Sequence, residues 1–516
     1  MWIKVLLLIL FFVCMFGVGL YCRKHARNVD DFVLGGRSVG PWLTAFAYGT
    51  SYFSAVVFIG YAGQFGWKYG LSATWIGIGN AVLGSLLAWI VLGRRTRIMT
   101  KHLNSTTMPQ FFEQRFHSNG LKITASAIIF VFLVPYTASI YNGLSRLFEM
   151  AFHIPYAYCV IGMAVLTGLY VILGGYMATA INDFIQGIIM LIGIVAVVAA
   201  VLSGQGGFLS AVDKLALVEG TNAAGVAQPG VFASFFGPDP VGLFSVILLT
   251  SLGTWGLPQM VHKFYAIKSE DDIEKGTIIS TVFAIVVAGG SYFLGGFARL
   301  FDNAAIYKAD GSIAFDSIIP FMLSGVPDVL MGIIVVLVLS ASMSTLSSLV
   351  LTSASTLTLD FLKGNIIKTM HEKTQLLLMR AMIVGFIAIS VILALDPPMF
   401  IAQLMGISWG ALAGAFLAPF LFGLYWKKTS KISVYACFIS GVLITVLNMY
   451  FNWFQSSINA GAAAMVAGFI VVPVVTLFTK KTEQKFIDEV FSCYEEKVVV
   501  SSKHMLPEEE KKAKKS

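Results

Sequence analysis

From Trp2 to Phe478 the chain is a succession of apolar runs, most of them long enough to cross a bilayer, parted by short clusters of charge or glycine. A run of about 20 apolar residues in lipid has to satisfy its own backbone hydrogen bonds, which here means a helix. With 57% hydrophobic and only 12% charged residues, against about 25% charged in a soluble domain, the chain reads as an all-α, multi-pass membrane protein. Its 516 residues hold apolar material for about a dozen spans. The longest stretch without a span signal is the tail after Phe478, so a large soluble catalytic domain is excluded.

Cutting the runs at their charge clusters predicts thirteen helices, at 2–22, 41–66, 72–93, 123–148, 155–179, 183–203, 239–262, 276–300, 326–359, 376–395, 399–425, 432–453 and 459–478. If the first starts outside, only Lys4, Lys68, Arg146, Lys214, Arg299 and Lys308 of the 35 Lys and Arg face outward. That asymmetry predicts an outer N-terminus and a cytoplasmic C-terminus in the plasma (inner) membrane. The net charge of +8 is therefore topology, with no basic groove for nucleic acid. The first run lacks a small-residue cleavage site and ends in Cys22-Arg23-Lys24-His25, so it reads as a retained span. Thr106 to Phe116 reads as an amphipathic segment at the inner interface, and the tail, ending PEEEKKAKKS, as a solvated end. The five cysteines are scattered, four of them in or at the ends of apolar runs and without metal-ligand spacing.

All 27 Asp and Glu and all seven His fall in loops or at span ends by this cutting, so the helix interiors hold essentially no titratable group. Proton-driven carriers usually keep an acid or histidine relay inside the membrane, whereas a sodium site can be assembled from neutral oxygens. The chain has no HExxH, no GxSxG with a candidate His and no GxxxxGK[ST], so an enzyme is not expected. Two spans carry helix breakers. The second has Gly49, Gly60, Gly63 and Gly66 around Tyr48-Gly49-Thr50-Ser51-Tyr52-Phe53-Ser54, and the seventh has Ser251-Leu252-Gly253-Thr254-Trp255-Gly256-Leu257-Pro258-Gln259. Paired interruptions in two halves mark the binding site of an inverted-repeat carrier, because unwound backbone is tolerated only beside a cavity; packing glycines are the simpler alternative. The ninth span holds Ser340-Ala341-Ser342-Met343-Ser344-Thr345-Leu346-Ser347-Ser348. Such hydroxyls often bond their own helix, yet Ser344, Thr345 and the Ala341 carbonyl could offer three oxygens to one ion, with two carbonyls of the broken second span completing five.

Phe32-Val33-Leu34-Gly35-Gly36-Arg37-Ser38, Gly174-Gly175-Tyr176, Asn182-Asp183-Phe184-Ile185-Gln186-Gly187, Gly256-Leu257-Pro258-Gln259 and Met343-Ser344-Thr345-Leu346 follow in order. Together they resemble the sodium:solute symporter family, which includes bacterial proline and pantothenate carriers and the sodium/glucose carriers. The resemblance implies a core of two inverted five-helix repeats, with one helix before and two after. It implies a sodium site from the Thr50, Phe53 and Ala341 carbonyls and the Ser344 and Thr345 hydroxyls, and Asp183 as guard of the ion's inner exit. For Asp183 a helix cap is the other reading.

The domains expected are 1–40 (first helix and inner loop), 41–203 (first repeat), 204–238 (outer loop), 239–425 (second repeat), 426–478 (two helices) and 479–516 (tail). Proline carriers have an Asp where this chain has Tyr52, and a Trp and a Tyr where it has Thr250 and Thr254. Pantothenate carriers are similar through Ser51-Tyr52-Phe53-Ser54 with Phe58-Ile59-Gly60, through Trp67-Lys68-Tyr69-Gly70-Leu71 and through Pro397-Pro398. The expected solute pocket is Tyr52, Tyr136, Tyr141, Asn142, Thr254, Trp255, Gln259 and Trp409. The function expected is sodium-coupled uptake of a small polar solute, a carboxylate or amino acid, with Na+ as coupling ion, the bilayer as surroundings, and neither an organic cofactor nor an obligate protein partner. The alternatives are sodium-independent or proton-coupled exchange, or a sensor or channel on the same scaffold.

Overall fold

A computed structural model describes residues 2–495 apart from 24–27, 223, 364, 368, 398, 400, 455 and 481. The Lys24-His25 flank of the first span, Pro398 and the tail from residue 496 lie outside the described residues.

In chain order, α1 (Trp2–Cys22) and the short α2 (Val29–Leu34) precede α3 (Pro41–Tyr52), which stops at the extended Phe53. Helix resumes at Val56 with a π-type turn and continues through α4 (Ala62–Tyr69), α5 (Thr74–Gly79), π-type turns over 80–93 and α6 (Arg94–His102). Next come α7 (Met108–Phe116), α8 (Asn119–Phe152), α9 (Tyr156–Gly204) and α10 (Phe208–Ala216). A small hairpin, β1 (Glu219–Thr221) with β2 (Ala227–Pro229), lies in the expected outer loop. The second half begins with α11 (Pro240–Leu252), a tight turn over Gly253–Gly256, and α12 (Pro258–Ala266). Then follow α13 (Asp271–Ala284), α14 (Gly290–Gly295), α15 (Phe315–Leu323), α16 (Asp328–Thr356), α17 (Glu372–Leu395), α18 (Ile401–Tyr425), α19 (Lys431–Phe451), α20 (Ser457–Phe478) and α21 (Gln484–Phe491). Several starts are fixed by side-chain caps: Thr107, Asp239, Ser430 and Ser456 each accept a backbone N–H of the first turn.

Among the described residues ten helices are long and apolar enough to span a membrane, or eleven with the bent pair α11–α12 taken as one. The count differs from the expected thirteen because two long stretches, each turned at a glycine, are counted once. Residues 56–102 count as one stretch of 47 residues and α9 as one of 49. Within α9 the single break is Gly175, at φ 56° and ψ −153°; a Cβ there would sit 2.8 Å from the Phe32 carbonyl oxygen. Gly70, at φ 63° and ψ −143°, turns the chain between α4 and α5.

The most buried spans are α16 and α18, and the least are α1 and α17. Two expectations change here. The apolar face of α7 does not lie on lipid: Phe111, Phe112 and Phe116 are buried, and Phe111 and Phe112 pack on Phe416, Phe420 and Phe438. Nor is the tail solvated throughout. Ile487, Val490 and Phe491 of α21 are buried, with the Phe491 ring 4.7 Å from the buried Arg115 guanidinium. Tyr494 covers Arg95 at 4.6 Å and donates to its carbonyl. Phe491 of α21 and Tyr494 just after it thus add aromatic cover to arginines that already donate to carbonyls at the end of α18.

Candidate functional site

The two breaks are local consequences of sequence. At the first, Phe53 takes an extended conformation (φ −88°, ψ 113°) and frees carbonyls at the end of α3. At the second, Pro258 cannot donate to the preceding turn, so Leu257 is extended and α12 departs from α11 at 46°. All five oxygens expected at the ion site come together. Thr345 Oγ1 is 3.1 Å from the Thr50 carbonyl oxygen, 3.3 Å from that of Phe53 and 3.1 Å from that of Ala341. Ser344 Oγ is 3.1 Å from the Thr50 and 3.0 Å from the Ala341 carbonyl oxygen. Two hydroxyls own two protons between them, yet these are five close oxygen–oxygen contacts. At least three of the five therefore set lone pair against lone pair, in a place with no exposed surface. A hard cation at the centre would relieve that repulsion, and three carbonyls and two hydroxyls are the neutral donor set such a cation takes.

Of the eight solute residues expected, three meet. Tyr136 packs edge-on to Trp409 with centroids 5.9 Å apart, and Tyr52 stands beside Tyr136 and Asn80. Three residues the sequence reading passed over complete the group: Asn80, Tyr292 beside both Asn80 and Tyr52, and Tyr61 beside Tyr136 and Tyr292. All six are buried, and among the described residues the hydroxyls of Tyr52, Tyr61, Tyr136 and Tyr292, Asn80 Nδ2 and Trp409 Nε1 close no hydrogen bond of good geometry, although Tyr52 and Tyr292 approach Asn80 and Tyr136 approaches Trp409. One buried unpaired polar group costs about 1–3 kcal/mol, so six at one point mark a surface shaped for a polar ligand. The signal available in the sequence was a lone Asn inside an apolar run and a Tyr following Gly289-Gly290.

Of the other five, Thr254 and Trp255 stand at the break next to Asn80, and Tyr141, Asn142 and Gln259 have other surroundings. Thr254 donates to the Ser251 carbonyl at 2.8 Å, and Trp255 Nε1 donates to that of Leu83 at 2.9 Å. Tyr48 and Thr254 also reach the Gly84 carbonyl, at 2.8 and 3.3 Å. All three donors meet carbonyls within the π-type turns of 80–87. Tyr141 faces Thr167 and Tyr170. Asn142 lines a separate cavity of about 430 Å³ with Arg146, Lys308, Asp316 and Gln403. There burial pushes the Asp316 carboxyl up to about 6, against the pull of the Ile401 N–H that it accepts. Gln259 is buried and unpartnered one turn before Lys263 on α12.

The helix interiors do hold titratable groups, contrary to the expectation from the sequence. Asp183 lies inside α9, fully buried, and its carboxylate accepts no backbone N–H, so it caps nothing. The buried Lys263 of α12 stands 3.7 Å from it and donates to Ser348 Oγ at 3.0 Å. His262 and Asp360 are likewise buried inside helices.

Broken helices around a neutral oxygen cage and a polar pocket define a secondary transporter. The sodium:solute symporter family matches residues 32–441, and the chain belongs to it. Sodium/proline symporter 2 of Staphylococcus saprophyticus is 30% identical over 504 residues, covering 94% of each chain. The sodium/proline symporter of Staphylococcus aureus (strain JH9) is also 30% identical, over 94% of this chain and 93% of its own. Among solved structures, a Na+-coupled sialic acid symporter in a substrate-bound, outward-open state superposes with a TM-score of 0.75 at 15% identity, over 93% of this chain and 99% of its own. A nucleobase–cation symporter in a closed conformation with bromovinylhydantoin bound gives 0.51 at 14% identity, over 89% and 97%. The protein is a multi-pass membrane carrier performing sodium-coupled solute symport.

Proposed function

We propose that the solute is a small amino or imino acid of the proline type, taken up with sodium. Sodium sits among Thr50, Phe53, Ala341, Ser344 and Thr345, and the solute lies against Tyr52, Tyr61, Asn80, Tyr136, Tyr292 and Trp409. The observation that carries this is the convergence beside the cage of six buried polar groups on neutral side chains that close no hydrogen bond of good geometry among the described residues. A zwitterion suits such a pocket, since its net charge is zero and its two ends can be met by hydroxyls, free carbonyls and half-helix ends without a buried counter-ion. The full-length relatives named for sodium/proline symport point the same way.

Labelled-proline uptake into proteoliposomes, with and without a sodium gradient and against pantothenate as competitor, tests the reading. Tyr52→Phe and Asn80→Ala should each raise the half-saturating proline concentration about tenfold, the loss of about 1.4 kcal/mol. Sodium-driven uptake of pantothenate with none of proline would replace the solute. Unchanged affinity in both variants would move the pocket.

The topology belongs to the same reading. Residues 56–102 and α9 are each about twice the length of a span, so we count two crossings in each and thirteen in all. Residues 41–203 and 239–425 then form inverted repeats, with 1–40, 204–238, 426–478 and 479–516 as the first helix, outer loop, last two helices and tail. The N-terminus lies outside, the C-terminus is cytoplasmic, and Asp183 stands at the ion's inner exit. Reporter fusions should place the Arg94 to Lys101 segment and Lys511 in the cytoplasm and the Ser203 to Pro238 loop outside. Any one of them on the other side breaks the thirteen-span count.

A further inference from the structure

One turn from the cage on α16, a chain of hydrogen bonds leads to a buried cation that transport chemistry has not yet used. Ser51 donates its single O–H to the Ala47 carbonyl, so the 2.9 Å contact between Ser51 and Ser348 runs from the Ser348 hydroxyl to Ser51 Oγ. Ser348 Oγ in turn accepts from Lys263 Nζ at 3.0 Å. The chain of donors is therefore Lys263 to Ser348 to Ser51 to the backbone of α3, the half-helix that supplies the Thr50 oxygen. The same ammonium lies 3.7 Å from Asp183 Oδ2 and 5.2 Å from the centre of the Tyr176 ring. One side chain ties α12 to α3, α9 and α16. The pair is loose on the acid's side: at 3.7 Å it is longer than a hydrogen bond, and neither Asp183 oxygen has another partner. Beside it, the Tyr176 hydroxyl and His262 Nε2 are also buried without a hydrogen-bond partner among the described residues.

We propose that Lys263 is the latch of the inner gate, a positioning residue whose ammonium neutralises Asp183 and holds α12 shut while sodium sits in its cage. It yields the carboxylate to the sodium ion as that ion leaves. A fully buried carboxylate is costly without a cation, so Asp183 keeps one throughout: the lysine in the closed state and the ion during exit. Because the pair is not closed by a direct hydrogen bond, the exchange requires no strong contact to break first. This rests on the reading of Asp183 as the exit carboxylate, and the two ideas fail separately.

The test uses the full-length protein in proteoliposomes and measures radioactive sodium flux in the absence of any solute. Lys263→Gln keeps a donor for Ser348 and removes the charge, so the uncoupled flux should rise at least tenfold; Lys263→Arg should keep it low. Asp183→Asn should instead lower the flux, since the departing ion loses its carboxylate and meets an uncompensated ammonium. Opposite signs are the signature, because mere damage to packing would move both variants the same way. A Lys263→Gln flux equal to that of the unmodified protein, or a change of the same sign in both variants, overturns the latch. An unchanged flux in Asp183→Asn removes the exit role itself. Should Lys263→Gln not fold, the double variant with Asp183→Asn decides against Asp183→Asn alone: removing the lysine there must raise the flux, and no rise overturns the proposal.

Discussion

Thr345→Ala is expected to raise the sodium concentration that half-saturates uptake by roughly tenfold, the equivalent of about 1.4 kcal/mol. Its hydroxyl touches all three carbonyls of the cage, at 3.1, 3.3 and 3.1 Å, so its loss opens the centre of the donor set. The site has no exposed surface, and a methyl group in place of an oxygen leaves the ion under-coordinated in low-dielectric surroundings. Ser344→Ala should act in the same direction and less strongly, because Ser344 reaches only the Thr50 and Ala341 carbonyls. Thr345→Ser restores the oxygen and should restore the affinity. Ser347→Ala is the control, since Ser347 donates to the Ser344 carbonyl at 2.8 Å and lies outside the cage. Equal impairment in Ser347→Ala and Thr345→Ala would assign the effect to helix packing, and normal sodium dependence in Thr345→Ala would move the ion.

Half of the cage was legible because it is local in sequence, and its two partners in the broken second span, about 290 residues away, were assigned only through the family resemblance. Ser344 and Thr345 are adjacent, Ala341 is one turn back, and the breaker at Phe53 sits within a polar run. Lys263 was not legible, because cutting the chain at charges ended the seventh span at residue 262 and left this lysine in a loop. Its burial depends on Asp183, 80 residues away, and on a turn of α16. Trp255 and Thr254 stand at the helix break, where a ligand is expected, and the carbonyls of Leu83 and Gly84 in the π-type turns of 80–87 demand their donors as well. Period and hydropathy reveal a helix, not its pitch, so that demand has no trace in the sequence. The same limit explains the span count: nothing in composition separates a helix that stops at Gly175 from one that bends there.

Gly66, Gly77 and Gly295, where broken span 2 and its continuation meet α14 and the turn before it, should tolerate a single methyl group poorly, and Gly289 supplies the control. A Cβ on Gly66 would lie 1.9 Å from the Gly295 carbonyl oxygen, and a Cβ on Gly77 would lie 2.5 Å from the Gly289 Cα. Both clashes are with backbone, which cannot rotate away as a side chain can, so the helices would have to separate. Gly289 itself presents its missing Cβ to open space, with nothing within 4 Å. Gly77→Ala and Gly66→Ala should therefore abolish or sharply reduce folded protein, whereas Gly289→Ala, in the same contact as Gly77, should be purified in normal yield. Overpacking of this kind typically costs 1–3 kcal/mol; here the neighbour is fixed and α14 carries Tyr292, so the pocket would be pulled apart as well. The check is the amount and thermal midpoint of detergent-purified protein for the three variants. Comparable yields for Gly77→Ala and Gly289→Ala would show that the contact can open without cost, and would remove the rigid packing on which the position of Tyr292 beside Tyr52 depends.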